Sequence, residues 1–123
     1  MTREQLTAYI LERFSADQDS PWLNHPEHVV FRHPNSRKWI ALLMRIPKNK
    51  LGLDGDGMTD VLNVKCDPLL IGSLREEPGI FPAYHMSKTS WITLDLDNGP
   101  PDDQIAWLLD LSYELTDTKK KRT

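Results

Sequence analysis

Near the N-terminus Leu6, Tyr9, Ile10, Arg13 and Phe14 fall at helical spacing, and four of the five are apolar or aromatic. That spacing predicts a helix with one buried stripe, ending at about residues 15–17. "TREQ" supplies its start, because the Thr2 hydroxyl can accept from a backbone N–H three residues on while Gln5 reaches back. "SPWLNHPEH" then reads as a loop. "VVFRH" and "WIALLMRI", rich in β-branched and aromatic residues, read as two strands joined by the turn "PNSR". After the long loop "KNKLGLDGDGMTD", "VLNVKC" sets Leu62, Val64 and Cys66 against Val61, Asn63 and Lys65, the alternation of a strand buried on one side.

"DPLLIGSLREE" follows as a helix with Asp67 as N-cap and Pro68 at its first position, stopped by "EPG". "IFPAYHM" is again extended, with Met86 closing the strand and Tyr84 and His85 on opposite faces. A turn over residues 87–90 leads into "WITLDLD", with Ile92, Leu94 and Leu96 inward. The last helix carries Ile105, Leu108, Leu109, Ser112 and Leu115 on one face. The predicted order is α-β-β-β-α-β-β-α, an α+β two-layer sandwich with helices on one face of an antiparallel sheet. All 123 residues suit a single domain, 1–123, with no repeat or linker.

This layout leaves the second sheet face open. Trp91, Thr93, Asp95, Asn63 and Lys65 are expected there. In the strand before, Ile40, Leu42, Met44 and Ile46 are assigned to the helix side, and Trp39, Ala41, Leu43 and Arg45 to the open side. Two tryptophans beside basic side chains suggest a stacking surface, although tryptophans on such faces also serve simply to cover a sheet.

Composition changes the picture in one respect. Net charge is −3, which argues against indiscriminate coating of nucleic acid. Yet no acidic residue lies between Glu27 and Asp54, an interval holding Arg32, Arg37, Lys38, Arg45, Lys48 and Lys50. The "KKKR" tail, 119–123, is expected to fray. The single cysteine, Cys66, and an N-terminus without a signal-like pattern lead us to expect a cytoplasmic protein. The longest apolar run, Trp39 to Met44, is too short for a membrane helix, which takes about 20 residues.

Catalytic chemistry finds no complete signature. A serine nucleophile at 87 or 90 would need a base such as His85 or Lys88 held by a third group, and Cys66 reads as a buried apolar residue. His25, His28 and His33 invite a metal reading, but Pro26 breaks helical presentation and no fourth ligand is near, so no metal is expected. "DGDG" lacks the terminal glutamate of a calcium loop. Glu4 and Glu12 alternate with Arg3 and Arg13 on the first helix, so no iron-binding acidic ridge is expected either.

"NVKCDP" followed by arginine, "Y-H-M-x-K-x-x-W-I" and a final "L-x-x-x-S-Y" together resemble the MmcQ/YjbR family over nearly the whole chain. That resemblance implies a YjbR-like, CyaY-like or secretion-chaperone-like two-layer fold. It brings a DNA-binding label that rests on a double-wing arrangement, and no enzymatic activity or cofactor. The chain departs from the family pattern in its long 48–60 loop and at Ser87 and Ser90, where relatives tend to carry Asn and His. The expectation is therefore a non-enzymatic module binding DNA or another nucleic acid. Its candidate contacts are Arg32, Arg37, Lys38, Arg45, Lys48, Lys50, Lys65 and Lys88, with Trp39 and Trp91 for stacking. The alternative is a protein-interaction module docking through the sheet face or last helix. Neither reading involves a membrane.

Overall fold

Helix α1 spans Arg3–Phe14 and opens as its sequence predicts. The Thr2 side chain accepts from Gln5 N–H, Gln5 reaches back to Thr2, and Ser15 closes the helix in the left-handed conformation. In this computed structural model, which describes residues 1–117, α1 is followed by strands β1 (Asp17–Asp19), β2 (Val29–Arg32), β3 (Trp39–Pro47) and β4 (Met58–Lys65). Helix α2 (Pro68–Leu74), strands β5 (Ile80–Pro82) and β6 (Trp91–Asp95), and helix α3 (Asp102–Thr116) complete the order. Asp67 caps α2 by accepting from Leu69 N–H, with Pro68 at its first position. The frayed tail expected at 119–123 lies outside the described residues.

The strands form one antiparallel sheet in the order β1-β2-β3-β4-β6-β5. Two elements exceed the sequence expectation. β1 is a three-residue polar strand, "DQD", without the apolar alternation that marks a strand, and a single 3-10 turn, Lys48–Leu51, opens the long loop. β5 is shorter than expected, ending at Pro82, so Tyr84, His85 and Met86 belong to a loop and not to a strand.

All three helices contribute to a core on one face of the sheet. Leu6 and Ile10 of α1, Ile71 and Leu74 of α2, and Ile105, Leu108 and Leu109 of α3 pack with Phe31, Leu62, Val64, Ile92 and Leu94. In β3 the expected register is reversed: Ala41 and Leu43 lie in this helix-side core, while Leu42, Met44 and Ile46 lie on the other face. The strand is apolar on both sides, so its alternation carries no sign. A bulge opposite Phe31 and Arg32 then puts Ile40 and Ala41 consecutively into the same core.

The second face is not open. Trp22, Trp39, Leu51, Tyr84 and Met86 pack over Val30, Leu42, Met44, Ile46 and Val61, forming a smaller second core. Asn63, Thr93 and Asp95 lie on that face as expected but are buried. The Thr93 hydroxyl donates to the Asn63 carbonyl oxygen and accepts from Tyr84 N–H, while the Asn63 amide donates to the Tyr84 carbonyl. Buried polar groups must be paired, and here the pairing fastens the 83–90 loop to the sheet. Among the described residues no helix is long and apolar enough to cross a membrane.

Candidate functional site

The loop fastened by Asn63 and Thr93 divides the covered sheet face into two hollows. On one side a cleft of about 240 Å³ is lined by Lys50, Leu51, Phe81, Pro82, Ala83, Tyr84 and Lys88. No carboxylate lines it, and neither lysine is in an ion pair with a described residue. The 3-10 turn brings Lys50 to the cleft and the 83–90 loop brings Lys88, so two lysines and two aromatic residues line it together.

On the other side Trp22, His25, His28, Trp39, Leu42, Met44, His85 and Met86 line a more apolar pocket of about 320 Å³. Trp22 and Trp39 meet edge to face, with centroids 6.0 Å apart. Tyr84 lines the first hollow and His85 the second, but their rings meet with centroids 4.0 Å apart and do not point to opposite faces; His85 takes a left-handed backbone, φ 62. A wider hollow of about 560 Å³ between the C-terminal ends of α1 and α3 is crossed by Arg13 and Asp110, which already hold each other at 3.1 and 3.2 Å.

The basic residues expected on the hairpin are largely compensated. Arg37 meets Asp17 at 2.6 Å and Arg32 meets Asp19 at 3.5 Å, both carboxylates coming from β1. The Arg32 guanidinium also sits 5.5 Å from the Trp39 ring centre. Arg45 lies on the helix side and binds Asp60 at 2.9 Å, a carboxylate it shares with Arg3 of α1 at 3.2 Å. Burial alone would raise the Asp60 carboxyl, but hydrogen bonds from these two guanidiniums hold it below the usual range. The three arginines of the interval from 28 to 53, acid-free in sequence, are thus neutralised from outside it, while among the described residues its three lysines are in no ion pair.

Lys38 is exposed at the hairpin end, and Lys48 begins the 3-10 turn. Lys65 and Trp91 are cross-strand partners, placed by the pleat on the side away from Ile92 and Leu94. Cys66 is buried, and burial pushes its thiol above the ordinary value, as suits a structural residue. Of the histidines, His33 stands apart, hydrogen-bonded to Thr116 at 2.7 Å and packed at a tilt against the Tyr113 ring.

His25 and His28 converge, with Glu27 between them, although Pro26 excludes the helical presentation as expected. Pro26 prevents a helix, but two successive tight turns achieve the same convergence. The carboxyl of Glu27 is held below its usual range by its own backbone N–H and, secondarily, by the imidazoles. Sequence reasoning also missed Trp22, Phe81 and Met86. For Trp22 a signal existed: an indole in a loop must find cover somewhere, and here it covers the sheet.

The architecture and its covered second face define a class of small α+β sandwich. The chain matches the YjbR family model over residues 11–115 and belongs to the YjbR family. It is 38% identical over 116 residues to the uncharacterised protein YyaQ of Bacillus subtilis (strain 168), covering 94% of this chain and 98% of that one. A crystal structure of a Pseudomonas syringae protein is 44% identical and superposes with a TM-score of 0.93, over 95% of this chain and 100% of the other. A Deinococcus radiodurans crystal structure at 27% identity superposes at 0.72, covering 99% of this chain and 82% of that one.

Proposed function

We propose that the chain is a non-enzymatic binding module for single-stranded nucleic acid, with the cleft of Lys50, Lys88, Phe81 and Tyr84 as its contact surface. One observation carries this reading: two lysines with no ion-pair partner among the described residues line an acid-free cleft together with two aromatic residues. Ammonium groups meet phosphates, and aromatic faces accept any base. Lys48, in the same 3-10 turn as Lys50, extends the positive surface. Arg32, Arg37 and Arg45 serve the fold through Asp19, Asp17 and Asp60, and are not the main contacts. The single buried cysteine suits the reducing cytoplasm, where we expect the module to act.

Fluorescence anisotropy with a labelled mixed-sequence single strand, at low and near-physiological salt, tests the reading. Affinity should be modest and fall with salt, each lost phosphate contact making the log K against log salt slope shallower by about 0.7. The double variant K50E/K88E should bind at least tenfold more weakly, whereas R37Q should change affinity less than twofold. A parent protein that fails to bind at low salt overturns the proposal. The protein-docking reading would then take its place, with the exposed Leu69 of α2 and Trp107 of α3 as its starting points.

A further inference from the structure

The loop between β1 and β2 holds a cluster of different chemistry. His25 N–H donates to the Trp22 carbonyl at 3.1 Å and His28 N–H to the His25 carbonyl at 3.0 Å, so the chain turns twice around Pro26. The turns bring the two imidazoles face to face, with centroids 4.7 Å apart and planes 8° from parallel. Glu27 Oε1 lies 3.5 Å from His25 Nδ1 and 3.8 Å from His28 Nε2. One ligand atom from each of the three side chains falls within 4.8 Å of the others.

Nitrogen and oxygen ligands at zinc sit about 2.0–2.2 Å from the ion, and a tetrahedron of that size spaces its donors about 3.4 Å apart. The two distances to Glu27 already approach that spacing, and the rings must turn out of their parallel stack for both in-plane lone pairs to meet one ion. One contact holds the loop in place and a second gives way to the ion. Arg3 of α1 donates to the Glu27 carbonyl at 2.6 Å, and His28 Nε2 lies 3.3 Å from the Arg45 carbonyl, a long contact that a stronger bond can replace. Imidazole and carboxylate donors are the ligands that borderline divalent ions of the first transition row accept.

We propose that His25, Glu27 and His28 form a binding site for a divalent transition ion of the zinc class. Both imidazoles line the pocket of Trp22, Trp39, Met44 and Met86, so the ion's fourth position is left to water or to a donor atom entering that pocket. The site is independent of the lysine cleft and stands whether or not the chain binds nucleic acid.

Calorimetric titration of tag-free protein with zinc chloride tests it, together with nickel quenching of tryptophan fluorescence. Trp22 is 6.1 Å from the His28 ring, close enough to report an ion bound there. One saturable equivalent is expected, with H25A and E27Q each weakening uptake at least tenfold and K50E/K88E leaving it unchanged. His25 is exposed, so H25A removes a ligand without disturbing the core. W22F should keep the stoichiometry while losing most of the quenching. Absence of saturable uptake by the parent, or equal uptake by H25A and E27Q, overturns the site.

Discussion

His33 shows how a side chain that reads as a candidate ligand becomes part of the structure. The Thr116 hydroxyl has one proton, directed to the Ser112 carbonyl at 2.8 Å, so it accepts from His33 Nε2–H at 2.7 Å. The neutral ring and the imidazolium both carry that N–H, so the hydrogen bond leaves the charge of the ring to be set by burial. Burial pushes His33 below its ordinary value; nearby Asp117 opposes this and Lys38 adds to it. A folded-state value below that of the unfolded chain gives stability that is present above about pH 6.5 and is lost as pH falls through the folded value. The urea midpoint should therefore drop between pH 7 and 5, with His33 contributing at most about 1.4 kcal/mol per pH unit. H33Q should show a shallower dependence, and parallel profiles for the two proteins would assign the acid sensitivity elsewhere.

At the level of elements, the bulge at the start of β3 leaves backbone groups that no neighbouring strand takes up, and α3 takes them up. Ser112 Oγ donates to the Ile40 carbonyl at 2.6 Å and accepts from Lys65 N–H at 2.9 Å, joining β3, β4 and α3 through one hydroxyl. The serine of the "L-x-x-x-S-Y" motif is thus explained by packing. S112A should cost about 2–4 kcal/mol, since it orphans two buried backbone groups at about 1–3 kcal/mol each, in part rescued by relaxation. Chemical denaturation measures this, and a loss under 0.5 kcal/mol would sink the role. Elements with one polar face or a cap were legible in the sequence: α1 through Thr2 and Gln5, α2 through Asp67, and β4 and β6 through their alternation. β3 was not, because it buries both faces, and β1 was not, because "DQD" is a strand only by pairing with β2. The lysine cleft was half legible, since Lys88 stood out in its turn. Its pairing with Lys50 depends on a loop folding back over the sheet, which no local pattern encodes.

Across the whole molecule, charge is balanced between segments far apart in sequence, with β1 answering the hairpin and Asp60 joining α1 to β3. A count along the chain therefore overstates the basic character of residues 28–53 and understates that of the cleft. The placement of β1 has a consequence for self-association. A sheet that ends in free N–H and C=O groups invites a second sheet to continue it. Here one margin is a three-residue strand flanked by two carboxylates, and the other is β5, equally short and ending in Pro82, which has no N–H to offer. Two copies meeting at the first margin would have to desolvate the Asp17–Arg37 and Asp19–Arg32 pairs of both; two meeting at the second would find a gap in the ladder. The variant D17V/D19V/R32Q/R37Q keeps strand propensity while removing both halves of each ion pair, and should aggregate on concentration as followed by light scattering, whereas the parent stays dispersed. The pairs that Asp17 and Asp19 make with the hairpin arginines within one molecule would then also be what keeps neighbouring molecules from growing a common sheet.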